Sequence, residues 1–182
     1  MRFSSTTLND ILVFEPKVFG DARGAFFESW NYKVFSELGI TANFVQDNHS
    51  TSVQGTLRGL HFQHPHPQGK LVWVIEGEVF DVAVDLRQKS RTFGKWEGFI
   101  LSAENRKRVW IPPGFAHGFY ATSHRAQFCY KCSDYYHPDC EKTLAWNDPS
   151  LAIDWPIAPG SSPLLSAKDS QGLTFHQCSG LF

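Results

Sequence analysis

At 182 residues the chain is long for one compact domain and short for two, and a chain of this size buries roughly 70% of its unfolded surface without needing staples. Seventeen basic residues against eighteen acidic ones leave a formal charge of −1, which argues against bulk attraction to nucleic acid. No run approaches the ~20 apolar residues of a membrane span, and the four cysteines are expected to sit reduced in a cytoplasmic protein.

Sixteen Phe and six Trp supply large side chains for a packed interior. In chain order, Asp21-Ala22-Arg23-Gly24 followed by Phe26-Phe27-Glu28 sets a guanidinium and a carboxylate near a turn and an aromatic pair. Tyr32 to Leu38 is the one clear early helix, with Val34, Phe35 and Leu38 as its apolar stripe and Gly39 as its stop. Gln46-Asp47-Asn48 gives three short polar side chains that either build a turn or read a ligand's hydrogen-bonding edge.

Leu57-Arg58-Gly59-Leu60-His61, with Lys70 nine residues after the histidine, is the most informative stretch. A neutral imidazole takes a proton, an ammonium holds a developing oxyanion, and a guanidinium grips a phosphate. Those groups suit removal of an acidic proton beside a carbonyl on a phosphorylated or nucleotide-bearing substrate; the same residues also make an ordinary solvated turn. Arg58 and His61 differ by three positions, so strict strand alternation points them apart unless Gly59 marks a bulge or bend.

Two strands follow, Leu71 to Glu76 and Glu78 to Arg87, broken at Gly77. In the second, Phe80, Val82, Val84 and Leu86 share a face, and Val79, Asp81, Ala83 and Asp85 share the other. That pattern predicts a sheet packed on one side and lining something polar on the other. Further strands are predicted at Trp96 to Leu101, Lys107 to Ile111, Phe115 to Ala121, Ala126 to Cys132 and Glu141 to Trp146. Many short strands at near-regular spacing predict an all-β sandwich or barrel, of which the jelly roll is one solution.

Within them, Pro112-Pro113-Gly114 fixes a turn from which His117 leaves on a strand at the parity of Phe115 and Phe119. Tyr130 shares a face with Phe128, which favours packing, yet a phenol near an imidazole base also serves as a general acid. Cys129 and Cys132 form a Cys-x-x-Cys, but on a strand residues three apart face opposite sides, which speaks against a metal or redox pair. The segment from Pro149 to Pro163 reads as extended coil wrapped on the surface, returning Asp169 towards the body, where an aspartate orients a histidine through its second nitrogen.

Taken together, these segments resemble the dTDP-4-dehydrorhamnose 3,5-epimerase family. The matching pieces are Asp21 to Gly24 with Phe27-Glu28, Gln46 to Asn48 with Ser50, Leu57 to His61, and Gln68 to Val72. They continue with Phe80 to Arg87, Ser90 with Thr92-Phe93-Gly94, Gly114 to Phe119, and Tyr130 to Cys132. Trp146 to Pro149, Asp154 to Pro156, and Ser166 with Lys168-Asp169 complete the set. They stand in family order from about residue 10 to 170.

The resemblance implies an all-β, cupin-type jelly roll (a double-stranded β-helix) with a few short helices, working as a homodimer without metal or organic cofactor. It implies one domain over residues 1–182, with a jelly-roll core at about 45–147, N-terminal strands before it and a wrapping segment after. His61 is similar to the family's catalytic base with Asp169 as its dyad partner, Lys70 to the lysine that stabilises the enolate, and Tyr130 to the general acid on the opposite face. Arg23, Glu28, Gln46, Asp47, Asn48, Arg58, Lys70, His117, Glu141 and Lys168 match positions that hold substrate. Tyr136 matches an aromatic contact with the nucleotide, the Tyr135-Tyr136 doublet leaving the alignment open by one.

The implied activity is inversion of C3 and C5 of dTDP-4-dehydro-6-deoxy-D-glucose to dTDP-4-dehydro-L-rhamnose, with no nucleic-acid or membrane partner. A single-centre epimerase on a related dTDP-4-keto-6-deoxyhexose is the runner-up. A metal-dependent cupin using His61, His64 and His66 is disfavoured because Pro65 and Pro67 place the latter two in a turn. A non-catalytic sugar-nucleotide binding module is hard to square with His61, Lys70, Tyr130 and Asp169 all being present.

Overall fold

The computed structural model describes residues 2–8 and 10–182. In chain order the strands are β1 (Arg2–Ser5), β2 (Leu12–Glu15), β3 (Val18–Asp21), β4 (Gly24–Phe27), β5 (Gln46–Val53), β6 (Leu57–Gln63), β7 (Lys70–Glu76), β8 (Glu78–Asp85), β9 (Trp96–Ser102), β10 (Arg108–Ile111), β11 (Phe115–Ala121), β12 (Arg125–Cys132) and β13 (Glu141–Thr143). Two short helices, α1 (Tyr32–Glu37) and α2 (Phe175–Cys178), accompany them. The six-stranded sheet has the order β1-β2-β10-β7-β12-β5, the five-stranded sheet β13-β6-β11-β8-β9, and β3 and β4 form a hairpin of their own. From β5 to β8 and again from β10 to β13 the chain alternates between the two large sheets, which winds it into a jelly roll.

Alternation explains the packing. On β8, Val79 and Ala83 face the space between the sheets, where they meet Val72, Val74, Phe119 and Phe128. The opposite residues, Val82 and Val84, lie with Leu86 under a cover formed by Leu144, Leu151, Trp155 and Cys178. Both faces of β8 are therefore buried, the outer one by the 149–163 coil and the C-terminal residues beyond it. The predicted polar lining is local: Asp81 and Asp85 are each fully buried. Asp85 accepts from Arg87, Ser90 and Thr92, well apart from Asp81.

The strands on either side of Gly77 go to different sheets. Gly77 has φ +73°, and a Cβ there would meet the Arg125 carbonyl oxygen at 2.0 Å, so only glycine makes this crossing. A third apolar cluster lies against the six-stranded sheet, where Phe35 of α1 stacks on Phe14 at 4.3 Å between ring centroids. Asn31 caps α1, its side chain accepting from the Val34 N–H. Helix α2 was not expected, although Thr174 and Gln177 form a capping box that marks its start. Among the described residues no helix is long and apolar enough to cross a membrane.

Candidate active site

A cavity of about 340 Å³ opens between the two sheets. Arg58, His61 and Gln63 of β6, with His117 and Phe119 of β11, form one wall; Gln46, Asn48 and Ser50 of β5, Lys70 of β7, and Phe128 and Tyr130 of β12 form the other. Tyr136, Glu141 and Lys168 close it at the side. The imidazole of His61 and the phenol of Tyr130 thus lie on opposite sheets across a single pocket.

Gly59 resolves the parity conflict on β6. Its φ is +108°, and the β6–β11 ladder shifts register at this point, between His117 and Phe119. Arg58 and His61 consequently both line the pocket. A Cβ at position 59 would sit 2.6 Å from the His117 carbonyl oxygen, so the irregularity requires glycine.

His61 Nε2 lies 2.5 Å from Asp169 Oδ1. Asp169 stands in a 3-10 turn (Asp169–Gln171) brought beneath β6 by the C-terminal wrap, and it also accepts from the Gly59 N–H and the Ser166 hydroxyl. Burial pushes the Asp169 carboxyl up, but hydrogen bonds from His61, Ser166 and Gly59 outweigh it and hold it below the ordinary carboxylate range. For His61, burial is the largest influence and pulls the imidazole below its usual value, aided by the Lys168 and Lys70 charges and opposed by Asp169. A neutral imidazole donating from Nε2 to this carboxylate keeps the Nδ1 lone pair free to accept a proton.

The opposite wall carries the complementary groups. Lys70 is buried, and that desolvation lowers its ammonium below the usual lysine value, with Cys132, Glu141 and Asp81 opposing the shift. Tyr130 is pushed up to about 12, chiefly by burial and further by Cys132 and Glu141, so its phenol holds its proton at neutral pH. Glu141 accepts from the Tyr136 hydroxyl at 2.8 Å and pairs with Lys168 at 2.8 Å. Gln46 donates to Asn48 at 3.0 Å and accepts from the Tyr136 N–H, which fixes an edge of amides along β5.

Not every expected residue arrives. Asp47 alternates to the other face of β5, where both its oxygens pair with Lys131 at 2.9 Å. Arg23 and Glu28 lie outside the cavity: Arg23 is 90% exposed and pairs with Asp21 at the β3–β4 turn, and Glu28 accepts from Asn31 at the start of α1. Of the tyrosine doublet, Tyr136 lines the pocket. Residues beyond the expected set line the pocket too, among them Ser50, Gln68, Phe119 and Phe128. Gln63 lines the wall, and Asp81 binds His117 Nε2 at 2.7 Å. Asp81 was visible as a carboxylate on the mixed face of β8, whereas nothing in the sequence singles out Gln63.

A jelly roll with an imidazole on one wall of a pocket and a phenol on the other suits an enzyme that moves protons, as isomerases do. The family model described as dTDP-4-dehydrorhamnose 3,5-epimerase matches residues 5–177. The chain is 54% identical over 176 residues to the dTDP-4-dehydrorhamnose 3,5-epimerase of Pseudomonas aeruginosa, covering 96% of each chain. It superposes on the dTDP-6-deoxy-D-glucose-3,5-epimerase of Legionella pneumophila, crystallised with dTDP-4-keto-L-rhamnose, with a TM-score of 0.92 and 53% identity, covering 96% and 93% of the two chains. A 3′-monoepimerase from Streptomyces bikiniensis in complex with dTDP-quinovose is more distant, at 31% identity and TM-score 0.88 over 97% and 89%. The chain belongs to the dTDP-4-dehydrorhamnose 3,5-epimerase family.

Proposed function

We propose that this enzyme inverts C3 and C5 of dTDP-4-dehydro-6-deoxy-D-glucose, giving dTDP-4-dehydro-L-rhamnose in dTDP-rhamnose biosynthesis. The observation that carries the reading is the placement of the His61–Asp169 pair opposite Tyr130 with Lys70 between the sheets. His61 takes the proton from C5, releases it to solvent, and then takes the proton from C3. Each C–H electron pair moves into the bond to C4, leaving an enolate whose oxygen rests against the Lys70 ammonium. Tyr130 delivers a proton to the opposite face and regains one through solvent. A positioned base contributes roughly 10²–10⁴ in rate and one oxyanion donor ~3–4 kcal/mol, so both are needed.

The remaining groups fit a sugar nucleotide. Arg58 and Lys168 supply cations for the diphosphate, Gln46 and Asn48 present amides to the base or sugar, and Tyr136 offers a face to the nucleotide ring. Arg23 and Glu28 support a homodimer. Arg23 lies at the turn of the β3–β4 hairpin, Glu28 follows it directly, and the hairpin exposes Phe19 and Phe26, a surface suited to meet a second copy. Residues 1–182 act as one domain. Four free cysteines accord with a reducing, cytoplasmic setting.

Proton NMR of the product from dTDP-4-keto-6-deoxyglucose in deuterated water tests the reading. The expected product carries deuterium at C3 and C5 with both centres inverted. Inversion at one centre alone would make this a single-centre epimerase, as the Streptomyces bikiniensis relative is described.

A further inference from the structure

Beside the pocket mouth, and not among the residues that line it, His66, Asp134 and His137 bring two imidazoles and a carboxylate together. One ligand atom from each lies within 4.8 Å of the others. His66 Nδ1 is 3.9 Å from Asp134 Oδ2, and His137 Nε2 is 4.0 Å from Asp134 Oδ1. The imidazoles stack with centroids 4.4 Å apart and planes inclined by 23°.

The backbone beneath is fixed from within. The buried Gln63 side chain donates to the carbonyls of His66 at 2.8 Å and Tyr135 at 3.2 Å, and accepts from the His137 N–H at 2.8 Å. Gln68 donates to the Asp134 carbonyl at 2.8 Å. One amide thus holds the turn after β6 against the turn after β12 and sets both histidines at their spacing.

We propose that His66, Asp134 and His137 form a binding site for a divalent transition cation of the zinc type. Bonds of about 2.0–2.2 Å in tetrahedral geometry put nitrogen and oxygen ligands roughly 3.3 Å apart. The spacings of 3.9 and 4.0 Å run to different oxygens of Asp134, so ligation requires these side chains, 36–53% exposed, to rotate and the two rings to unstack until both lone pairs and one oxygen meet the cation. Two imidazoles and one carboxylate select zinc, copper or nickel over magnesium or calcium, which prefer all-oxygen shells. Solvent takes the fourth position. The cation lies outside the epimerisation chemistry, and it clips together the two turns that carry Gln68 and Tyr136 to the pocket rim.

The test uses full-length protein without a polyhistidine tag, stripped with chelator and titrated with zinc chloride by calorimetry. One equivalent per chain binds, zinc raises Tm, and the cobalt-loaded protein shows a four-coordinate visible spectrum. His66→Ala and His137→Ala each weaken binding by about tenfold or more, with unchanged circular dichroism. His124→Ala, an exposed histidine elsewhere, and Cys140→Ser, a thiol near His137, bind zinc as the parent does. Absence of saturable binding overturns the proposal. So does binding that survives both histidine substitutions or is lost with Cys140→Ser.

Discussion

His61 and His117 are cross-strand partners on the β6–β11 ladder, and each presents Nε2 to a buried aspartate, Asp169 at 2.5 Å and Asp81 at 2.7 Å. The two pairs differ in access. The His61 side chain is 25% exposed to the pocket, whereas that of His117 is 7% exposed. Asp81 Oδ1 accepts no hydrogen bond from the described residues, so its carboxylate depends on His117 and on the nearby lysine charge. The greater access of His61 fits the base role proposed for it, and the burial of His117 fits a structural one.

Asp169→Asn and His61→Ala should therefore keep the fold and lose turnover by roughly 10²–10⁴, with exchange of the C3 and C5 hydrogens falling in step. Asp81→Asn should act first on stability, lowering it by about 1–3 kcal/mol, because it weakens a buried charge-assisted bond. Thermal melts and deuterium exchange measured on the same samples separate the two. Normal exchange in His61→Ala would remove it from the base role.

Tyr130→Phe deletes only the phenolic oxygen, and the ring still packs against Phe128, whose centroid lies 6.0 Å away. Proton abstraction by His61 should persist while delivery from the opposite face fails. Solvent deuterium then enters the starting sugar nucleotide faster than epimer accumulates. An unaltered ratio of exchange to inversion would rule Tyr130 out as the acid.

How much of this was legible varies by residue. Period-two alternation placed Val82 and Val84 against Val79 and Ala83 correctly, because a strand's faces depend only on parity. Parity says nothing about which sheet a strand joins, so the separation of β7 from β8 at Gly77 was not readable. Nor was the burial of the outer face of β8, which depends on Trp155 arriving from more than seventy residues away in sequence. Parity also sets Asp47 opposite Gln46 and Asn48, a distinction the motif match overlooked. Convergence of Asp169 on His61 spans 108 positions and is a matter of tertiary path alone.

Acid and alkaline limbs of the rate profile should belong to different residues. His61 titrates below its ordinary 6.5, so the acid limb of kcat/KM falls below that pH. Between the folded value and 6.5 the unfolded chain binds more protons, so stability rises with pH there. The contribution is complete above 6.5 and lost as pH falls through the folded value. Asp169, held below its ordinary 3.8, adds loss of the same sign at still lower pH.

On the alkaline side Lys70 gives up its proton below 10.5, ahead of Tyr130 at about 12. Lys70→Arg should move that limb upward, since a guanidinium stays charged, while lowering turnover through its altered shape. Tyr130→Phe should leave the limb in place. A limb that disappears in Tyr130→Phe would assign it to the phenol instead.

Gly59→Ala tests the bend that unites Arg58 with His61. The added methyl would meet the His117 carbonyl at 2.6 Å and the Gly118 Cα at 2.7 Å, on a backbone whose φ of +108° resists any side chain. Both contacts are main chain, so relief requires β6 and β11 to separate or β6 to return to regular alternation. The first outcome costs about 1–3 kcal/mol of stability. The second turns Arg58 or His61 out of the pocket, so turnover should fall even where the protein melts cooperatively. Wild-type kinetics and Tm in Gly59→Ala would mean that the pocket tolerates a straight β6, and the pairing of phosphate grip and base would need another origin.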